Sequence, residues 1–246
     1  MAEHDKKTVE EEKQTISQRS GMRELFELFS LTGFVYGPLD DRLDIKDAVE
    51  KNLSKPVPPH VNWTFCFGGI ALFLFMVQAI TGIMLLMYYR PTVAEAYKSV
   101  VYITNNVPFG WLIRGLHHWA ANGMIVMVFL HMVRVFVYGA YKPPRDFNWV
   151  TGVILLSLTL GFGFTGYLLP WNQISYWATT VGTEVPGAMP VIGPYIATLM
   201  RGGAAIGQTT LTRFFAIHVV ILPLVIGFFL LGHFFMIRKQ GISGPL

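Results

Sequence analysis

Two pairs of histidines in apolar segments constrain the fold of this chain more than any other feature. His117 and His131 lie 14 residues apart in one segment, and His218 and His233 lie 15 apart in another. At ~1.5 Å per residue, either interval spans roughly 21 Å along a helix. Fourteen residues fall ~40° short of whole turns and fifteen overshoot by ~60°, so each pair lies near one helix face at two depths. Two such helices side by side would hold two planar metal macrocycles, each between opposing imidazoles.

The alternative for each histidine is ordinary packing, since a single buried imidazole on an apolar helix is usually just hydrogen-bonded. Four histidines matched in depth favour function, because an ionisable side chain within a membrane is costly. The pattern therefore predicts two bis-histidine hemes. A transporter or a purely structural membrane protein is the alternative from another class. His118 is predicted to point away from the ligand face, since adjacent helical residues diverge by ~100°.

The composition is that of a membrane protein, with 52% hydrophobic and only 14% charged residues and a mean hydropathy of +0.45. Four segments supply the roughly 20 apolar residues that a bilayer requires: 61–89, 111–138, 149–169 and 214–237. The predicted fold is an all-α, four-helix transmembrane bundle that binds two b hemes in its core and occupies residues 53–246. Residues 1–52 form a polar N-terminal extension, in which 22–36 predict an interfacial helix or a simple surface helix.

Charge is strongly segregated, because 12 of the 15 acidic residues precede Pro56. The basic balance thus reflects scarce acids in the membrane part and predicts no nucleic-acid partner. Cations near the segment ends favour both termini on the cytoplasmic (n) side. On the n side lie Lys51, Lys55, Lys142, Arg145, Arg238 and Lys239, and on the opposite (p) side Arg90, Lys98, Arg201 and Arg213. The second and fourth spans then run parallel, which pairs His117 with His218 towards the p side and His131 with His233 towards the n side.

Glycines repeat the histidine spacing on the two other spans. Gly68 and Gly82 are 14 residues apart, as are Gly152 and Gly166. Glycine permits close approach to the backbone, so these positions predict heme packing at the two depths. The alternative is that small residues commonly line membrane helix interfaces.

Basic side chains and the single cysteine are the other candidate heme contacts. Arg114, Arg134 and Arg213 lie near the histidines and could neutralise heme propionates or act as interfacial anchors. Cys66 is the only cysteine, which excludes an intrachain disulfide. Such a cysteine is usually a small apolar filler. Its depth near His131 also allows one thioether bond to a heme vinyl group.

Several long motifs together indicate a family: PPHVNWTFCFGGI, FGWLIRGLHHW, FLHMVRV, KPPRDFNWVTGV, GFTGYLLPWNQ, LTRFFAIH and HFFMIRKQGISGPL. Over residues 53–246 the chain resembles the cytochrome b6 subunit of b6f-type complexes and the short cytochrome b of Gram-positive menaquinol–cytochrome c reductases. The 15-residue interval fits this branch. Asn172 replaces the aspartate common after LPW, so no proton-handling role is transferred to it.

The resemblance implies specific cofactor roles. His117 and His218 match the ligands of a low-potential p-side heme, and His131 and His233 match those of a higher-potential n-side heme. Cys66 matches the position that holds an additional, covalently attached c-type heme facing the quinone-reduction site.

The resemblance also implies the activity, that of a subunit of a quinol–cytochrome c or plastocyanin oxidoreductase, inactive alone. Electrons would cross from quinol oxidation on the p side to quinone reduction on the n side, in a Q-cycle that builds a proton gradient. The implied partners are a Rieske iron–sulfur protein, a c-type cytochrome and a separate three-helix subunit carrying the PEWY motif, which this sequence lacks. They would form a dimeric complex in a bacterial plasma membrane or a photosynthetic membrane. A diheme membrane anchor of a dehydrogenase or hydrogenase is the alternative, and both menaquinone and plastoquinone stay open.

Overall fold

A computed structural model of the chain describes residues 57–244. The predicted helix at 22–36 lies outside the described residues. The chain divides into two compact units, Met1–Pro59 and His60–Leu246. The second unit contains every candidate site residue.

Every regular element in residues 57–244 is helical, as the sequence predicted. In chain order they are a 3-10 turn (Trp63–Cys66), α1 (Phe67–Leu86), α2 (Ala96–Asn106), α3 (Gly110–Val137), α4 (Asp146–Leu168), α5 (Gln173–Gly187), α6 (Gly193–Arg201), α7 (Gln208–Ala216), a π turn (Ile217–Ile221) and α8 (Leu222–Gln240).

Four helices are long and apolar enough to cross a bilayer, which confirms the predicted spans and a multi-pass membrane protein. Their bounds are Trp63–Leu86, Gly110–Val137, Asp146–Leu168 and Gln208–Gln240. Helix α1 packs along α3, and α4 packs along α8 and its preceding π turn. A lighter contact between α3 and α4 joins the two helix pairs. Large apolar side chains are exposed along all four helices, as expected where the surrounding medium is lipid.

The fourth span contains a π turn at Ile217–Ile221. The amide of Leu222 donates to the carbonyl of Ile217, five residues earlier. Pro223, at the start of α8, has no N–H and its ring would clash with the carbonyl four residues before it, which favours the wider turn. A π turn inserts one residue into a helix. It therefore absorbs the fifteenth residue between His218 and His233 and returns the two histidines to one helix face.

Three short helices, α2, α5 and α6, lie between the spans and were not predicted. On α5 the buried residues Ser175, Thr179 and Thr183 recur every four positions and form its inner face. Asn172 caps α5, since its side chain accepts from the Ser175 amide at 2.8 Å. Arg201 donates through Nε to Thr183 Oγ1 at 2.6 Å, which fixes α6 against α5.

A small apolar cluster secures the end of the bundle where α4 finishes and α7 begins. It consists of Ala96, Leu168, Leu211 and Phe214, all almost completely buried. Phe164 packs edge-on against Phe214, with ring centroids 5.5 Å apart. This cluster fixes the approach of α7 to α4 and so positions the π turn that carries His218.

Candidate functional site

The first histidine pair joins α3 to the π turn. The rings of His117 and His218 approach each other edge-on, with centroids 6.5 Å apart and planes inclined by 71°. Two imidazoles bound to one metal at about 2 Å per metal–nitrogen bond would have centroids about 6 Å apart. The observed separation therefore fits one metal between the two rings.

Hydrogen bonds define the tautomer of this pair. Thr81 Oγ1 lies 2.9 Å from Nδ1 of His117, and Thr165 Oγ1 lies 3.0 Å from Nδ1 of His218. Each hydroxyl proton is already used, because Thr81 donates to the Val77 carbonyl at 2.6 Å and Thr165 donates four residues back at 2.8 Å. The hydroxyl oxygen must then accept from an Nδ1–H. That tautomer leaves Nε2 as the free electron pair that binds a metal.

The second pair lies at the other end of the same helices. His131 lies near the end of α3 and His233 in the second half of α8. Thr151 Oγ1 lies 3.1 Å from Nδ1 of His233 and donates to the Asn148 carbonyl at 2.8 Å, so His233 has the same tautomer. Within residues 57–244, His131 has no such hydroxyl partner. The two pairs are therefore arranged alike, except that, among the described residues, His131 lacks the threonine hydrogen bond that the other three histidines have.

Each of the four predicted glycines lies against one histidine ring. A Cβ at Gly166 would be 2.7 Å from Cε1 of His218, and at Gly82 it would be 3.3 Å from Cε1 of His117. The corresponding distances are 3.1 Å for Gly68 with His131 and 3.7 Å for Gly152 with His233. The glycines thus occupy the predicted depths. The group that they face here is the imidazole of the opposite helix.

The three predicted arginines differ in their surroundings. Arg134 stacks over the Phe65 ring at 3.4 Å, and its buried Nε and Nη2 have no hydrogen-bond partner within residues 57–244. Two unpartnered donors beside the second histidine pair fit a carboxylate such as a heme propionate. Arg213 instead donates to the Leu199 carbonyl at the end of α6, where a cation is favoured. Arg114 is exposed.

Cys66 is exposed at the end of the 3-10 turn, immediately before α1. Its interpretation as a buried filler is wrong for this chain, because the thiol is not packed in the interior. Gly68, two residues later, contacts His131, so the thiol lies at the end of the bundle that holds the second histidine pair.

The remaining described histidines do not contribute to either pair. His118 is exposed and contacts Trp119 edge-on, as its predicted orientation requires. His60 Nε2 lies 2.8 Å from the carbonyl of Ser243, which joins the start of the first span to the segment after α8.

The donor set suits a macrocycle better than a bare ion. Within residues 57–244, no three His, Cys, Asp or Glu side chains are grouped closely enough to hold a metal ion. Two opposing imidazoles could supply only two ligands to a metal, so a macrocycle would have to supply the others. The residues present therefore fit heme.

Several known proteins are similar to this chain in sequence or in architecture. Residues 52–241 match the family described as Cytochrome b/b6/petB. The chain belongs to the cytochrome b family. Cytochrome b6 of Gracilaria tenuistipitata var. liui is 54% identical over 214 residues, which are 87% of this chain and all of that protein. Cytochrome b6 of Prochlorococcus marinus strain SARG is 51% identical over 212 residues, 86% of this chain and 97% of that one.

A solved structure of a hyperthermophilic respiratory Complex III contains a chain similar to this cytochrome b, with a TM-score of 0.78 and 34% identity. The match covers 84% of this chain and 55% of that chain, so this chain spans about half the length of its structural relative. The predicted family and fold are confirmed. The chain is a heme-bearing membrane subunit of a quinol oxidoreductase complex, and the dehydrogenase or hydrogenase anchor is not favoured.

Sequence reasoning missed the polar residues around the histidines. The hydroxyls of Thr81, Thr151 and Thr165 contact three of the four rings. Gln78 Nε2 also donates to the backbone carbonyl of His117 at 2.6 Å. A signal for the threonines was present, because each immediately precedes one of the spaced glycines.

Proposed function

We propose that this cytochrome b holds one b heme between His117 and His218 and a second between His131 and His233. The observation that carries the proposal is the facing His117–His218 pair, 6.5 Å between ring centroids, with both Nδ1 atoms bonded to threonine hydroxyls. Bound there, the hemes supply one-electron transfer across the bilayer, between quinol oxidation at one face and quinone reduction at the other, in a Q-cycle that builds a proton gradient.

The chain's own residues would bind the hemes and orient them. The four imidazoles would hold the hemes through Nε2, and the glycines opposite them allow α1 and α4 to approach the rings. Arg134 would provide a cation for one propionate of the His131/His233 heme, since its buried Nε and Nη2 have no acceptor within residues 57–244.

Heme content of the purified complex tests this proposal. Pyridine hemochrome spectra should give two non-covalent b hemes for each copy of this chain. His131→Ala should remove one of them and spare the other, whereas His118→Ala, at an exposed histidine, should retain both. A fully assembled wild-type complex without b-heme absorption would contradict the proposal and favour a structural or transport role.

Cys66 is proposed to carry a third heme through one thioether bond. Two observations support this: Cys66 matches the position that carries a covalent heme in the family it resembles, and its thiol is exposed at the end of α1 that contacts His131. Cys66 would hold this heme by adding its thiol S–H across one heme vinyl group, with a new C–S bond and the hydrogen on the other vinyl carbon. The addition is redox-neutral and releases no leaving group.

A denaturing gel distinguishes this bond from histidine coordination, which does not survive unfolding. The wild-type chain should retain heme-dependent peroxidase stain and have a mass greater than the polypeptide by one heme. Cys66→Ser should lose both signals and keep its two b hemes. Denatured wild-type protein without heme, despite a normal b spectrum, would remove the third heme.

The proposed partners follow from membership of a bc- or b6f-type complex. They are a Rieske iron–sulfur protein, a three-helix subunit with the PEWY motif, and a c-type cytochrome subunit or acceptor, assembled as a dimer around a quinone site. Affinity purification through this chain should recover the Rieske protein and the three-helix subunit, and extracted lipid should contain either menaquinone or plastoquinone. Recovery of a molybdenum or nickel subunit instead would contradict the assignment.

Both termini are proposed to lie on the n side, on the basis of the excess of Lys and Arg at that end. A green fluorescent protein fused after Leu246 should fluoresce in the cytoplasm, and alkaline phosphatase at the same position should be inactive. The reverse result would invert the two faces without changing which histidines pair.

A further inference from the structure

Three of the four histidine rings contact a threonine–glycine dipeptide on the neighbouring helix. A threonine hydroxyl lies beside Nδ1, and the glycine that follows leaves room for the ring. The pairs are Thr81–Gly82 with His117, Thr165–Gly166 with His218, and Thr151–Gly152 with His233. The hydroxyl-to-Nδ1 distances agree closely, at 2.9, 3.0 and 3.1 Å.

The hydrogen bonds of all three threonines run in the same direction. Each threonine donates its single proton to a carbonyl of its own helix, three or four residues back. With its proton used in this way, each hydroxyl oxygen can only accept from the ring, so Nδ1 must be protonated. A donated Nδ1–H makes the imidazole more basic at Nε2 and a stronger donor to a metal.

The fourth position lacks the hydroxyl. Gly68 lies against His131 like the other glycines, but Phe67 precedes it and its side chain has no acceptor. The His117/His218 site therefore has two threonine hydroxyls, and the His131/His233 site has one. The chain itself makes its two metal sites electronically unequal.

We infer that Thr81, Thr165 and Thr151 are positioning residues that hold the ligand imidazoles as Nδ1–H tautomers and lower the reduction potential of the heme that each serves. The inference rests on the proposed function. A more basic axial imidazole stabilises ferric over ferrous iron, so each hydroxyl lowers the midpoint potential. The site with two hydroxyls then has the lower potential of the two.

A redox titration of the intact complex, followed at the b-heme absorption bands, tests this. Thr165→Val keeps the shape of the side chain and removes the hydroxyl, and it should raise the midpoint potential of the His117/His218 heme alone. Thr151→Val, 14 residues earlier on the same helix, should raise that of the His131/His233 heme alone. Thr159→Val is the matched control: it is also buried on α4, but its hydroxyl donates to the Leu155 carbonyl and contacts no histidine.

Serine variants separate loss of the hydroxyl from loss of packing. If Thr165→Val loses its heme, Thr165→Ser should restore both the heme and the wild-type potential. Unchanged potentials in Thr165→Val and Thr151→Val with normal heme content would overturn the inference, as would an equal shift in Thr159→Val. None of these results would affect the two-heme proposal. Wild-type complex without b hemes would instead defeat that proposal.

Discussion

The contact between Gly166 and His218 gives the sharpest test of how the helices are spaced. An added Cβ would lie 2.7 Å from Cε1 of His218, about 0.7 Å short of the 3.4 Å at which ordinary contact begins. At Gly152, in the same position relative to His233, the distance is 3.7 Å and nothing must move. Both glycines follow a threonine on α4. Gly166→Ala and Gly152→Ala therefore form a matched pair.

The expected cost of Gly166→Ala follows from this geometry. Metal–ligand distances tolerate about 0.2 Å, so a ring displaced by about 0.7 Å cannot keep its bond unless α4 moves away. Overpacking of this kind costs about 1–3 kcal/mol, which corresponds to about a 5- to 140-fold loss of heme affinity. Gly152→Ala should change affinity by less than about twofold.

The assay is the occupancy of each b heme in purified complex, measured by redox difference spectra during titration with a mild detergent wash. Gly166→Ala should release the His117/His218 heme first and leave the other one bound. Equal losses in the two variants, or full retention in Gly166→Ala, would refute the argument from ring-to-backbone distance.

Two further predictions concern the π turn and the Arg201 contacts. Deleting Val220 should convert the π turn to an α turn and keep both hemes. Deleting Val126 from α3 should instead rotate His131 by ~100° relative to His117, and the complex should lose one heme. An equal fall in heme content in the two variants would contradict the role of the π turn. Arg201→Met removes a side chain that is only 14% exposed and donates to Thr183 and to the Thr180 carbonyl, so it should cost about 1.5–3 kcal/mol of stability in thermal unfolding. Arg90→Met, whose ion pair with Glu95 is largely exposed, should cost less than about 1 kcal/mol, and a loss equal to that of Arg201→Met would contradict this account.

The four spans and the approach of His117 to His218 were predictable because both depend on simple periodicity. A run of apolar residues gives a membrane helix, and two intervals of 14 and 15 residues place histidines at two depths. The glycine spacing was visible for the same reason. The group that each glycine contacts was not visible in the sequence, because only the packed structure shows that Gly166 contacts His218.

Helix α5 escaped prediction because its buried face is polar. Thr179 and Thr183 are fully buried on α5, yet in sequence they look like loop residues. The fourth span begins at Gln208, earlier than predicted. The prediction missed its first residues because QTTLTR is polar. Its first turn is stabilised locally, since Thr210 Oγ1 accepts from the Gly207 amide at 3.1 Å.

The threonine contacts depend on tertiary packing between helices far apart in the chain. Thr165 and His218 are 53 residues apart, and only the approach of α4 to the π turn brings them together. The repeated threonine–glycine dipeptide was a usable signal, but its meaning required knowing which helix lies opposite. The π turn likewise depends on Pro223, whose effect on the turn before it was not considered.

The central claim is that the histidines act as two pairs across the bundle, and the most direct measurement is a redox titration of four single-histidine variants of the complex. His117→Ala and His218→Ala should each abolish the same one-electron wave and leave the second wave intact. His131→Ala and His233→Ala should each abolish the second wave and leave the first. Loss of different waves from His117→Ala and His218→Ala would contradict the pairing and with it the account of both sites.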